Sequence, residues 1–284
     1  MTDTPARIDA HQHFWDLSTG GYDWPTAAEG PIFRSFAPAD LEPELRAAWI
    51  DATVLVQTAD TLADTHAMID AATANAWIAG IVGWVPLTDE RGMERALEVF
   101  AARRPAWLGG IRHLIHREAD PDWILRPDVG AGLRRLSAAW LPFDVVAVFP
   151  NHLRHVPTIA DRHPDLTLVI DHLAKPPIRR LGWEAWRQEL AQAAARPNVV
   201  AKISGLDTAA GPGWTVDELR PSVDAALEAF GPDRLLFGTD WPVCRQVSSY
   251  GEVVSTTEAL IAELSDGERA AIMGGTARRV YRLP

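Results

Sequence analysis

Ile8-Asp9-Ala10-His11-Gln12-His13, at the start of the chain, and Leu235-Leu236-Phe237-Gly238-Thr239-Asp240-Trp241-Pro242, near its end, are the stretches on which the fold turns. Each reads as an apolar strand finishing in residues that can hold a metal ion or move a proton. Side chains at i and i+2 of a strand leave the same face, so His11 and His13 project together and can grip one ion. Asp240 would complete a mixed nitrogen and oxygen donor set. Only a closed fold brings the first and last strands side by side.

Between these stretches six further runs rich in Val, Ile and Leu give eight in all: 7–13, 52–58, 79–87, 108–116, 143–150, 166–173, 198–205 and 234–240. They are apolar without strict alternation, the pattern of parallel strands covered on both faces. Helix-like stretches follow them. Residues 59–77 and 182–196 carry apolar residues at helical spacing, and Thr215-Val216-Asp217-Glu218 and Ser265-Asp266-Gly267-Glu268 match capping boxes. Strand then helix, repeated eight times, predicts an α/β fold made of a single (β/α)8 TIM barrel, one domain over residues 1–284. A doubly wound sheet lacks support, because no G-x-G-x-x-G follows the first strand and Gly130-Ala131-Gly132 sits inside a helical stretch.

Composition narrows the function. The chain has 284 residues, 47% of them hydrophobic, and a formal charge of -11 with no basic run, which argues against a nucleic-acid partner. No stretch approaches the ~18 apolar residues of a membrane span, and the polar start carries no apolar targeting segment. One cysteine, Cys244, allows no internal disulfide. A cytoplasmic protein, monomeric or homo-oligomeric, is the expectation. Of 27 basic residues only Lys175 and Lys202 are lysines, so each marks a position wanting a compact or titratable charge.

In a barrel the reactive groups gather where the carboxyl ends of the strands converge. His11 and His13 close strand one, Gln57 strand two, Arg112 and His116 strand four, His172 strand six, Lys202 strand seven and Asp240 strand eight. The long first loop, 14–37, carries Trp15, Tyr22, Trp24, Phe33 and Phe36 and reads as a wall or lid; Trp15, Trp24, Trp84 and Trp241 lie where they could line a sugar-sized pocket. Two imidazoles and a carboxylate suit one divalent ion, zinc foremost, leaving a position for a water of pKa ~7. His172 is a further ligand or a hydrogen-bonding group for the reacting atoms. Asp240 serves as ligand and proton carrier, while Arg112 and Lys202 polarise a carbonyl or hold a carboxylate, with His116, Gln57 and Trp24 as further substrate contacts. The sum describes hydrolysis at a carbonyl.

Arg7-Ile8-Asp9-Ala10-His11-Gln12-His13-Phe14-Trp15, Gly110-Ile111-Arg112-His113, Asp171-His172-Leu173-Ala174-Lys175-Pro176, Lys202-Ile203-Ser204-Gly205-Leu206 and Phe237-Gly238-Thr239-Asp240-Trp241-Pro242 together resemble the amidohydrolase superfamily, and within it the branch of sugar-acid lactonases that act on L-fuconolactone and L-rhamnonolactone. The resemblance spans essentially the whole chain. It implies a (β/α)8 barrel, opening of a small-molecule lactone by water, His11, His13 and Asp240 at a metal, and His172 beside them. The chain departs from the wider pattern at strand five, where Val148-Phe149-Pro150 replaces a histidine ligand and His152 lies beyond. Metal-independent catalysis is therefore an alternative, with Asp240 activating water directly.

Blander readings stand beside these. Arg112 and Lys202 could be structural ion pairs, and a lone thiol such as Cys244 without a base is not read as a nucleophile. No Gly-x-Ser-x-Gly, phosphate loop or His-Glu-x-x-His occurs. The competing functions are an aromatic (pyrone) lactonase or a decarboxylase on the same scaffold, and a binding protein that lost turnover. An aromatic dicarboxylate would need several free cations at the mouth.

Overall fold

The computed structural model describes residues 6–103 and 108–284. Eight strands, β1 (Ile8–Gln12), β2 (Ala52–Val56), β3 (Ile78–Gly83), β4 (Leu108–His113), β5 (Phe143–Val145), β6 (Leu168–Ile170), β7 (Val199–Ile203) and β8 (Leu235–Phe237), pair in parallel and in sequence order. The seam between β8 and β1 closes just beyond the strand ends. Asp240 N–H donates to His11 O at 2.8 Å and His13 N–H to Trp241 O at 2.7 Å. The result is the expected (β/α)8 barrel. The helix expected over 59–77 runs Leu62–Ala74 and that over 182–196 runs Trp183–Ala194. Both capping boxes form: Glu218 and Glu268 accept the backbone N–H of Thr215 and Ser265 at 2.9 and 2.8 Å.

Several strands are shorter than their apolar runs, and the missing ends matter. β5, β6 and β8 keep three residues each, and β4 stops at His113, leaving His116 on a short 3-10 turn, Ile115–Arg117. Past β6 and β8 the backbone turns left-handed, at φ 54° for His172 and 58° for Asp240, and such backbone cannot continue a ladder. The reactive residues thus sit on turns just above the strands.

The barrel interior is layered. Ile8, Ala10, Val54, Val56, Val82, Val169, Val200 and Leu236 form an apolar floor, closed from below by Tyr281 and Leu283 of the C-terminal segment. Above it, toward the carboxyl ends, the lining becomes charged: Arg112, Asp144, Asp171 and Lys202 are all buried. A second and larger apolar cluster fills the space between the sheet and the helices. β1 contributes to both inner layers because its register with β2 shifts between Asp9 and Gln12. Simple alternation would put Ile8 and Ala10 on one face and His11 and His13 on the other. The bulge changes the phase, so the floor residues and the histidines both face inward.

Candidate active site

Two local features bring the donors together. The β1 bulge aims His11 and His13 at the barrel axis, and the left-handed turns after β6 and β8 bend His172 and Asp240 over them. A left-handed non-glycine residue costs about 1–3 kcal/mol and persists only where its surroundings hold it. Gly205, itself at φ 58°, makes room: a Cβ there would lie 2.9 Å from His172 Nδ1 and 3.2 Å from Asp240 Oδ2. His11 Nε2 and His13 Nε2 are 3.1 Å apart, Asp240 Oδ1 lies 3.6 Å from the first and 3.3 Å from the second, and His172 Nε2 lies 4.0 Å from the same oxygen.

These donors fit a divalent cation. Tetrahedral ligation at about 2.0–2.2 Å places neighbouring donors about 3.3–3.6 Å apart, which brackets two of the three separations and nearly meets the third. The tautomer of His13 is suited as well. His13 Nδ1 is 2.8 Å from Val56 O, so that nitrogen carries the proton and Nε2 presents its lone pair. Beside this set His11 and His172 also form a group with Asp171.

Beneath the donors lies a buried ionic network. Lys202 Nζ contacts Asp144 Oδ2 at 2.5 Å, Asp171 Oδ1 at 3.1 Å and His11 Nδ1 at 3.0 Å. Arg112 Nη1 donates to Asp171 Oδ2 at 3.1 Å and reaches His11 Nε2 at 3.3 Å, while its Nη2 donates to Gln57 O. Tyr281 donates its hydroxyl to Asp144, joining the network to the floor. Two carboxylates and two fixed cations balance one another, which is what permits all four to be buried.

Burial by itself would raise Asp240, but the imidazoles of His172, His13 and His11 outweigh it and hold the carboxyl well below the usual range. Burial takes His172 down to about 4, against the pull of Asp240 and Asp171. Burial and the Lys202 ammonium likewise push His11 well down. At neutral pH the pocket therefore holds an ionised carboxylate beside the neutral imidazoles of His11 and His172. It can accept a proton, bind a cation, or donate a hydrogen bond from an imidazole N–H.

Not every residue expected to touch substrate faces the mouth. Lys202 is fully buried below His11, and Arg112 is tied to Asp171, so both belong to the ionic layer under the site. Gln57 is also fully buried, its amide nitrogen donating to Asp60 at 2.7 Å. These side chains were expected at the surface of the mouth because they close strands; their inward aim places them one layer too deep. His116 lies on the exposed rim, and Trp24 lines a cavity of about 780 Å³ at the mouth together with Glu29, Phe149, Lys175, Arg180 and Gln246. Of the other tryptophans expected at the pocket, Trp15 and Trp241 are sealed in the core, and Trp84 donates to His113. The first loop stands as a wall, pinned by the Trp15 and Phe36 backbone pair. His152 turns Nδ1 to Val148 O at 3.2 Å, and Cys244 is buried with its thiol pushed well up by burial. Asp144, Ser204 and Asp9 escaped sequence reasoning. Ser204 Oγ lies 2.9 Å from His172 Nδ1, and Asp9 accepts from Thr239 and Tyr250. The signal was present for the two acids, since a carboxylate inside an apolar strand run needs a buried partner.

An eight-stranded parallel barrel with histidines and an ionised aspartate converging at its carboxyl end defines a class, the barrel enzymes whose reactive groups gather at the carboxyl ends of the strands. The chain belongs to the amidohydrolase family, whose model matches residues 8–283. It is 37% identical over 281 residues to an L-fucono-1,5-lactonase of Burkholderia ambifaria, covering 98% of this chain and 96% of that one. It is 38% identical over 290 residues to an L-fucono-1,5-lactonase of Burkholderia multivorans, with the same coverage. The crystal structure of an amidohydrolase from Burkholderia multivorans with bound zinc superposes with a TM-score of 0.91 at 38% identity, covering 98% of this chain and 100% of that one.

Proposed function

We propose that this enzyme hydrolyses a sugar-acid lactone, an aldono-1,5-lactone of the L-fucono type, to the open-chain aldonate. The observation that carries the reading is the ionised Asp240 held within 4.0 Å of three imidazoles at the barrel mouth, in a chain 37–38% identical to two L-fucono-1,5-lactonases. Asp240 takes a proton from water as the water oxygen bonds to the lactone carbonyl carbon and the carbonyl π electrons move onto oxygen. Collapse of that tetrahedral species breaks the bond to the ring oxygen, and Asp240 returns the proton there, giving a hydroxyl. The acid so formed ionises and releases one proton to solvent. Ser204 Oγ lies 2.9 Å from His172 Nδ1, and in the tautomer where the hydroxyl donates, the His172 Nε2 proton faces the pocket and can hydrogen-bond the developing oxyanion. His11, His13 and Asp240 would hold the cation, and zinc there would supply Lewis acidity and a lowered water pKa.

An aromatic dicarboxylate is the second reading, and the ionic layer counts against it. Such a substrate needs several free cations; Arg112 and Lys202 are already matched by Asp171 and Asp144, which leaves Lys175 and Arg180 of the mouth cavity to meet it.

The test is a pH-indicator screen of aldonolactones, beginning with L-fucono-1,5-lactone, on wild type, Asp240→Asn and chelator-treated protein with metal content measured alongside. Turnover that collapses in Asp240→Asn is the expected result. Loss on chelation that returns with zinc supports the ion, and survival with no metal present supports direct carboxylate catalysis. No hydrolysis of any aldonolactone by wild type would remove the reading.

A further inference from the structure

Residues 172–175 make one turn of left-handed backbone from four consecutive non-glycine residues: His172 at φ 54°, Leu173 at 48°, Ala174 at 61° and Lys175 at 53°. L-residues disfavour this by about 1–2 kcal/mol each, so the turn must be held from outside. Three of its four carbonyls are engaged. Lys175 N–H donates to His172 O at 2.8 Å, Phe149 N–H to Ala174 O at 2.9 Å and Trp186 Nε1–H to Leu173 O at 2.8 Å. The turn begins at a histidine that leans over Asp240 and ends at a lysine that lines the mouth cavity.

Lys175 differs from the other cations of the site. Arg112 and Lys202 are buried and matched by carboxylates, whereas Lys175 is exposed and joins no ion pair among the described residues; Arg180, which lines the same cavity, is likewise exposed and unpaired, but only Lys175 sits on the turn that begins at His172. In a chain with 25 arginines and two lysines it is the lysine that is not buried, a point charge on a flexible stem where a planar fork would be more usual. Its charge reaches the reaction centre. After desolvation it is the largest influence lowering His116, and it also bears on His172. Glu29, the acid lining the same cavity, is engaged by Thr26 through both backbone and hydroxyl, at 2.6 and 2.7 Å.

We propose that Lys175 is the residue that recognises the carboxylate created by ring opening, so that the site binds its aldonate product through a charge pair that the neutral lactone cannot make. This rests on the lactonase reading, because only ring opening turns a neutral ligand into an anion. The new carboxylate forms beside ionised Asp240, which repels it, and the ammonium three residues from His172 offsets that repulsion. Lys175 thereby sets product affinity and discriminates among ligands by charge; it is a binding residue and not a proton carrier.

The experiment compares wild type, Lys175→Met and Lys175→Arg for binding of L-fuconate by titration calorimetry and for product inhibition of L-fucono-1,5-lactone hydrolysis. In Lys175→Met the inhibition constant and Kd for L-fuconate should rise about tenfold, the range for a hydrogen bond to a charged group, while kcat/KM for the lactone falls by a smaller factor, about two- to threefold. Lys175→Arg should retain most of the product affinity. Wild-type product binding should weaken as salt is raised from 20 to 300 mM, and that of Lys175→Met should not. Product Kd unchanged in Lys175→Met, or product Kd and kcat/KM shifting by the same factor, overturns the proposal. Wild type that hydrolyses no aldonolactone is a different result, which removes the lactonase reading itself and this inference with it.

Discussion

The floor and the mouth of this barrel are built from the same eight strands and obey opposite rules. The floor, Val54, Val56, Val82, Val169, Val200 and Leu236 over Tyr281, is apolar, held on strands and buried. The mouth begins where the strands stop. It holds buried acids and imidazoles on left-handed turns, and its ionic layer is stable only as a matched set. The difference teaches that stability is concentrated at the amino ends of the strands, and that the carboxyl ends carry strain and unfavourable burial which the floor supports.

Four substitutions break or sharpen this contrast. Asp240→Asn should lower kcat by about 10²–10⁴-fold with the fold intact, read from steady-state rates beside a circular-dichroism melt. Lys202→Met strands Asp144 and Asp171 in the interior and should cost about 3–5 kcal/mol in denaturant unfolding, part of which Asp144→Asn restores in the double variant. If Lys202→Met unfolds like wild type, the ionic layer is not a matched set. Leu236→Ala, in the floor, should cost about 2–5 kcal/mol while kcat/KM of the folded protein stays within a few-fold of wild type, separating support from chemistry.

The smallest effect tests the burden carried above the strands. Asp207, after β7, is buried with no well-formed hydrogen bond to either carboxylate oxygen, and burial raises it to about 6. Its folded pKa is above the unfolded 3.8, so the native state prefers the protonated form and stability falls as pH rises from about 4 through 6. Asp207→Asn should therefore raise stability by about 1–3 kcal/mol at pH 8 and leave it nearly unchanged at pH 4, measured by urea titration at both. Equal shifts at the two pH values would show that the buried charge is not the cause. Activity has its own pH signature. His172 is neutral above about 4, so kcat/KM should be level from pH 6 to 8 and decline below about 5 as the imidazole takes a proton.

Much of the fold was legible because a barrel writes itself locally. Eight apolar runs and the capping boxes at Thr215 and Ser265 give strand, helix and order with no knowledge of what touches what. Strand ends were less legible. The runs 143–150 and 166–173 look continuous, yet their second halves leave the ladder, because apolar composition reports burial and is silent on the sign of φ. Ser204 was missed for a related reason: its partner His172, 32 residues away, leaves no periodic mark, whereas Asp144 inside its apolar run signalled a buried partner without saying which.

The sequence by itself determined that a histidine pair and an aspartate stand at the ends of the first and last strands, since strand identity and order follow from local hydrophobic pattern. Only the tertiary structure decided that the β1 bulge turns His11 and His13 inward, that Arg112 and Lys202 are consumed by buried acids, and that Lys175 is exposed at the mouth. Side-chain direction and charge pairing are set by register and by contacts between distant strands, and those exist only once the barrel has closed.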